Sequence, residues 1–160
     1  MKELLELLNE NARLTPAQLA AMLDTTQEEV TAAIENYEKS GVIKGYKALI
    51  DWDKAPSKTV SALIELKVTP KRETGFDEIA KRVMMFEEVE SVYLMAGAYD
   101  LAVMVKGATI QDIAMFVSKR LSTLDSVLST ATHFILTRYK DGGVVLCDDS
   151  EHDERGTMLL

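Results

Sequence analysis

Apolar residues recur along the first forty positions at helical spacing. Leu4, Leu5, Leu7 and Leu8 share one face of a helix predicted over residues 1–10. Leu19, Ala20, Met22 and Leu23 give a second helix its buried side. Thr15 is its N-cap, Pro16 suits its first position, and Gln18 completes a capping box. Asp24 and Thr25 interrupt the pattern. Thr26 with Glu29 then repeats the box at the head of a third helix, residues 26–39, with Val30, Ala33, Ile34 and Tyr37 as its apolar positions. Gly41 follows as a residue beyond a helix C-cap would. Residues 42–51 form two β-prone runs hinged at Gly45, which completes the pattern of a winged helix-turn-helix.

From Val60 the periodicity alters. Residues 61–68 alternate toward a strand, residues 75–85 are helical through Phe76, Ile79, Val83 and Met84, and residues 89–95 are a strand again. Leu101 to Val105 is an almost unbroken apolar run, as in a buried strand. Residues 110–124 carry a helical stripe of Ile113, Ala114, Phe116, Val117 and Leu121, and a Thr-rich strand follows over residues 127–136. The order βαββαβ predicts a ferredoxin-like sandwich with both helices on one face of the sheet. Alternating apolar positions such as Val60, Ala62 and Ile64, or their neighbours, are expected on the other face, where a second copy would cover them.

The predicted class is therefore α+β, an N-terminal winged helix-turn-helix followed by a ferredoxin-like βαββαβ unit. Residues 1–51 form the first domain, 52–59 a linker containing Pro56 and Ser57, 60–140 the second domain and 141–160 an acidic tail. Neither half is large. A domain of about 60 residues buries only about 60% of its unfolded surface, so oligomerisation is an expected source of stability.

Charge qualifies the helix-turn-helix reading. Residues 1–55 hold six Lys and Arg against ten Asp and Glu, residues 56–140 eleven against ten, and residues 141–160 one against six, within a net charge of −8. The third helix carries Glu28, Glu29, Glu35 and Glu38 against Lys39 alone. Neutralising phosphates is the main source of protein–DNA affinity, so this helix reads DNA at an electrostatic cost. The candidates for nucleic-acid contact are Arg13 before the second helix, Thr26, Gln27 and Thr31 on the third, Lys39 at its end, and Lys44 and Lys47 on the wing. Gln can pair with adenine and Thr can meet a base edge or methyl. Several weak modules on one oligomer add through effective concentration.

Two stretches carry a family resemblance. Ser40-Gly41-Val42-Ile43-Lys44-Gly45-Tyr46 through Asp51 resembles the helix-end and wing signature of the leucine-responsive regulatory (Lrp/AsnC) family of transcription regulators. Gly97-Ala98-Tyr99-Asp100 resembles the Gly-x-x-Asp turn of that family's RAM domain (regulation of amino acid metabolism), and the likeness spans about residues 2–140. It implies homodimers formed by pairing sheets, often assembled into octamers, DNA as a partner, and a small effector, an amino acid, bound between dimers. In the family the third helix displays several Arg; the corresponding places here are Ala32, Ala33, Glu35 and Asn36. The implied effector site comprises Gly97, Ala98, Tyr99 and Asp100, with Ser122, Thr123, Asp125, Thr130, Thr132 and His133 nearby. Gly97 would admit backbone amides to a carboxylate and Asp100 would hold an ammonium, the two handles of a free amino acid. The alternative is an amino-acid-sensing or partner-binding oligomer with weak or lost DNA binding.

Other classes find little support. There is no Gly-rich phosphate loop, no metal spacing about the two His, and Cys147 stands in the tail away from any base, so no enzyme, cofactor or metal is expected. Asp148, Asp149, Glu151, His152, Asp153 and Glu154 read as a solvated acidic tail. Residues 1–10 are acidic and amphipathic rather than a signal peptide, and no apolar stretch approaches the roughly 20 residues that span a bilayer. One Cys excludes an internal disulfide. The expectation is a cytoplasmic protein without a membrane partner.

Overall fold

Two threonines start the helices of the N-terminal unit by the same device. In the computed structural model, which describes residues 2–56, 59–73 and 75–146, helix α1 spans Lys2–Glu10, α2 Pro16–Leu23 and α3 Gln27–Lys39. The Thr15 hydroxyl accepts the Gln18 amide at 3.3 Å while Gln18 accepts the Thr15 amide at 2.9 Å. Thr26 and Glu29 repeat the exchange at 3.2 and 3.3 Å. Each box satisfies helix-end donors that have no partner within the helix. Asp24 ends α2 in the left-handed conformation at φ 50°, and Gly41, φ 74°, lies just beyond the α3 C-cap. Leu4 and Leu8 pack with Leu19, Ala20, Val30 and Ala33 as the core of this unit.

The expected wing hairpin is not formed. Residues 42–50 run without strand pairing. Gly45 has φ 157°, nearly extended, and cannot make the two left-handed residues of a tight hairpin turn. A lone two-stranded ribbon is also marginal in water. The segment is held by single bonds instead: Ile43 N–H donates to Tyr37 O at 3.1 Å, and the Tyr46 hydroxyl donates to Glu38 Oε1 at 2.9 Å.

The second unit contains strands β1 Val60–Val68, β2 Val89–Leu94, β3 Leu101–Gly107 and β4 Val127–Phe134, with helices α4 Asp77–Val83 and α5 Ile110–Phe116. The sheet order is β2-β3-β1-β4 with neighbouring strands antiparallel, as a ferredoxin-like sandwich requires. A third capping box, Thr109 with Asp112, starts α5; the sequence reading did not single it out. The last turn of that helix, Val117–Leu121, widens to π geometry, and Ser122 N–H reaches Val117 O at 2.8 Å. Two short strands, β5 Lys140–Asp141 and β6 Val144–Val145, pair near the end of the described chain.

Ala62, Ile64, Leu66 and Val68 of β1 are buried with Leu101, Val103 and Val105 of β3 against Ile79 and Val83 of α4 and Ile113, Phe116 and Leu121 of α5. This corrects the expectation for Val60, Ala62 and Ile64, which lie on the helix side. The polar odd-numbered positions Glu65 and Lys67 mark the opposite, open face. That face runs through Tyr93, Ala102, Glu65 and Ala131 in one cross-strand row and Ser91, Met104, Leu63 and His133 in the next. His133 Nε2 sits 3.3 Å from Glu65 Oε1 on it.

Candidate DNA-reading and effector sites

Helical spacing places Glu28, Thr31, Glu35 and Lys39 on the exposed side of α3, opposite Val30 and Ala33. The one Lys of this face is spent locally, since Lys39 Nζ donates to Glu35 Oε2 at 3.0 Å. The Thr31 hydroxyl donates to Gln27 O at 2.8 Å, and the Thr26 hydroxyl is occupied by its capping box. Gln27 is exposed at the N-terminal turn. Lys44 folds back toward the end of α3: its ammonium lies 2.8 Å from where a Cβ on Gly41 would stand. A cation there complements the negative end of the helix. Lys47 is exposed, and so is Arg13, whose backbone N–H donates to Asn11 Oδ1 at 3.0 Å.

Glu29 is held as a carboxylate. The Thr25 hydroxyl donates to it, the Thr26 amide adds a second bond, and together they lower its pKa from the ordinary 4.5 despite a small opposing effect of desolvation. Burial, with the neighbouring Glu38, raises the Tyr46 pKa. The reading helix is thus acidic at neutral pH.

In the second unit the β2–β3 turn, the end of β1 and the start of β4 converge at one end of the sheet. Asp100 N–H donates to Leu66 O at 2.9 Å, and its Oδ2 accepts Val68 N–H at 2.9 Å. Thr69 N–H donates to Ser126 O at 2.8 Å. The Asp100 carboxylate therefore already closes the strand end. Gly97 and Ala98 are exposed and Tyr99 is half-buried. The Gly97 φ lies outside the left-handed region, and an added Cβ would meet nothing within 4 Å.

The other effector candidates divide. Thr130 stands in register with Leu66 and Leu101, in the row nearest the turn, and faces the helix side; Thr132 follows on the same face. His133 lies on the open face, three residues or about 10 Å along β4 from Thr130. Within one subunit it is not brought together with the two threonines. Ser122 and Thr123 are exposed beyond the π turn, and the Thr123 hydroxyl donates to Lys119 O at 3.0 Å. Strand parity would have separated His133 from the threonines, but only once the β4 register was known.

Among the described residues no group of three or more His, Cys, Asp or Glu is placed to hold a metal, and no helix is long and apolar enough to cross a membrane. Cys147 and the acidic stretch 148–154 lie outside the described residues.

The chain joins a trihelical unit, with two capped helices in helix-turn-helix order, to a ferredoxin-like sandwich, the architecture of a two-domain regulator. Residues 1–44 match the winged helix-turn-helix DNA-binding family and residues 61–145 the Lrp/AsnC ligand binding domain. The chain belongs to the Lrp/AsnC family of DNA-binding transcription regulators, and it is not an enzyme. It is 50% identical over 154 residues to the uncharacterised HTH-type transcriptional regulator YugG of Bacillus subtilis, covering 96% of this chain and 92% of that one. The solved structure of PH0061 superposes with a TM-score of 0.76 at 25% identity, over 88% of this chain and 93% of the other. The regulator NMB0573 of Neisseria meningitidis, solved as an L-Met complex, gives a TM-score of 0.70 at 21% identity, over 86% and 88%.

Proposed function

We propose that the second unit senses a free amino acid at the Gly97–Asp100 turn, where subunits of an oligomer meet, and that occupancy biases how the helix-turn-helix units engage an operator. The observation that carries this reading is Gly97. Among the described residues a Cβ on Gly97 would meet nothing within 4 Å, which leaves open space over this exposed turn. A ligand carboxylate reaching the backbone amides of an exposed turn needs such space. The L-Met complex of the meningococcal neighbour supports an amino acid as the ligand class. Asp100 shapes the turn through Val68 and leaves Oδ1 for an ammonium, while Thr130 and Thr132 approach from the helix side and Ser122 and Thr123 from the loop before β4. His133 contributes only where a second subunit brings its open face near.

The open sheet face, with Tyr93 exposed on it, supports a homodimer formed by pairing two such faces, with dimers meeting at the turns in a larger assembly such as an octamer. The operator contacts belong to Gln27, Thr31, Lys39, Lys44, Lys47 and Arg13, with Thr26 holding the head of α3. An effector shifts such a system only through unequal affinity for its two arrangements. Calorimetry against each of the twenty amino acids tests the reading. One or a few are expected to bind, and Gly97→Val is expected to lower their affinity at least tenfold without changing the fold. No binding by any of the twenty overturns it.

A further inference from the structure

We propose that Arg120 is a positioning residue for the amino-acid site: clamped to Glu88, just ahead of β2, it holds the π turn Val117–Leu121 and so fixes where Ser122 and Thr123 stand. The proposal rests on the sensing reading above and adds to it the side chain that aims the loop before β4.

Arg120 is held from three sides. Its Nη1 donates to both carboxylate oxygens of Glu88, at 2.8 and 3.2 Å. Its guanidinium carbon lies 4.4 Å from the ring centroid of Phe86 and 5.7 Å from that of Phe116, and the two rings meet edge to face at 5.4 Å. Glu88 is fixed in turn, since its carbonyl accepts Lys106 N–H at 2.9 Å and continues the β2–β3 pairing. A planar guanidinium can stack on a ring and reach a carboxylate at once, which the compact ammonium of Lys does less well.

The clamp holds an irregular turn. Ser122 N–H reaches back five residues to Val117 O at 2.8 Å, where an α-helix would direct it four residues back to Ser118. Single π turns at helix ends recur at functional sites. Beyond the turn, Ser126 O accepts Thr69 N–H at 2.8 Å, next to Val68, whose amide the Asp100 carboxylate accepts. Residues 122–125 are thus strung between two anchors, and the second adjoins the Gly97–Asp100 turn. The Arg120 and Glu88 side chains are 48% and 33% exposed. An ion pair this open adds little to the stability of a fold, so its consequence is local.

The test compares the full chain with Arg120→Gln, Arg120→Lys and Lys119→Gln, the last making the same loss of charge at an exposed neighbour in the same turn. Calorimetry against each of the twenty amino acids reads the site, and amide hydrogen exchange by NMR reads the turn. Arg120→Gln is expected to speed exchange at Ser122 at least tenfold, while Ile64 and Val103 in the paired central strands exchange as before. The same variant is expected to bind whichever amino acid the wild type takes at least tenfold more weakly. Arg120→Lys should fall between, and Lys119→Gln should match wild type in both measurements. Unchanged exchange at Ser122, or equal losses in Lys119→Gln, overturns the proposal. Faster exchange at Ile64 and Val103 also overturns it, because Arg120 then serves the whole fold. A wild type that binds none of the twenty removes the sensing reading and the ligand role together, whereas unchanged affinity in Arg120→Gln beside a binding wild type removes this proposal alone.

Discussion

The carboxylate of Asp100 accepts the backbone amide of Val68 at 2.9 Å, so the family's acidic turn residue is first a clasp on the neighbouring strand. Removing the acceptor leaves a part-buried N–H without its partner, which costs about 1–3 kcal/mol. Asp100→Ala is expected to lose that much stability in urea unfolding, while Asp100→Asn, whose amide oxygen can accept the same bond, loses less. Equal losses would show that charge, not the bond, is what the turn needs. Lower effector affinity in Asp100→Ala would mix both effects, which makes Gly97 the cleaner probe.

The pairing of Lys39 with Glu35 takes the one cation on the exposed face of α3 out of play. An exposed pair of this kind stabilises by only a few tenths of a kcal/mol, so breaking it barely affects folding. Glu35→Lys is expected to tighten binding to operator DNA and to steepen the dependence of log affinity on log salt by about one for each added phosphate contact. Filter binding or anisotropy across a salt series measures both. An unchanged slope would place this face of α3 away from the duplex.

Legibility differed between elements for physical reasons. The two capping boxes of the helix-turn-helix were readable because each needs only two side chains three residues apart. The wing hairpin is not encoded locally: a Gly between β-prone runs permits a turn, but stable pairing depends on packing that the local sequence does not specify. The facing of β1 is legible in Glu65 and Lys67, whose polar odd positions assign Ala62, Ile64 and Leu66 to the core; of the two alternatives for the open face, Val60, Ala62 and Ile64 or their neighbours, the neighbour Leu63 is the one that lies there. The division of the effector candidates was hidden further, since the placement of His133 and Thr130 on opposite faces follows from cross-strand register.

Acid stability should report the Glu29 cap. Its pKa is lowered in the folded chain by the Thr25 hydroxyl and the Thr26 amide. A carboxylate with a lowered folded pKa contributes stability that is present above the unfolded value, near 4.5, and is lost as pH falls through the folded one. Glu29→Gln keeps an oxygen for the Thr26 amide but cannot titrate. Wild type is expected to exceed the variant in urea unfolding at pH 6, with the gap closing toward pH 3. A gap that is constant across this range would mean that the carboxylate charge plays no part in the cap.

Self-association through the open sheet face can be isolated at Tyr93, which is 55% exposed in the single subunit and stands in register with Ala102 and Glu65. Its side chain supports little within the subunit, so Tyr93→Asp should leave the fold intact. In a face-to-face pair the new carboxylate would be buried beside Glu65 with no added cation, and burying an uncompensated charge costs several kcal/mol. Sedimentation is expected to show wild type as a dimer or larger and Tyr93→Asp as a monomer. Met115→Asp, a comparable change at a residue 47% exposed on the helix layer, should leave the assembly as it is. Should Met115→Asp dissociate the protein and Tyr93→Asp not, subunits meet through the helices, and the open face needs another explanation.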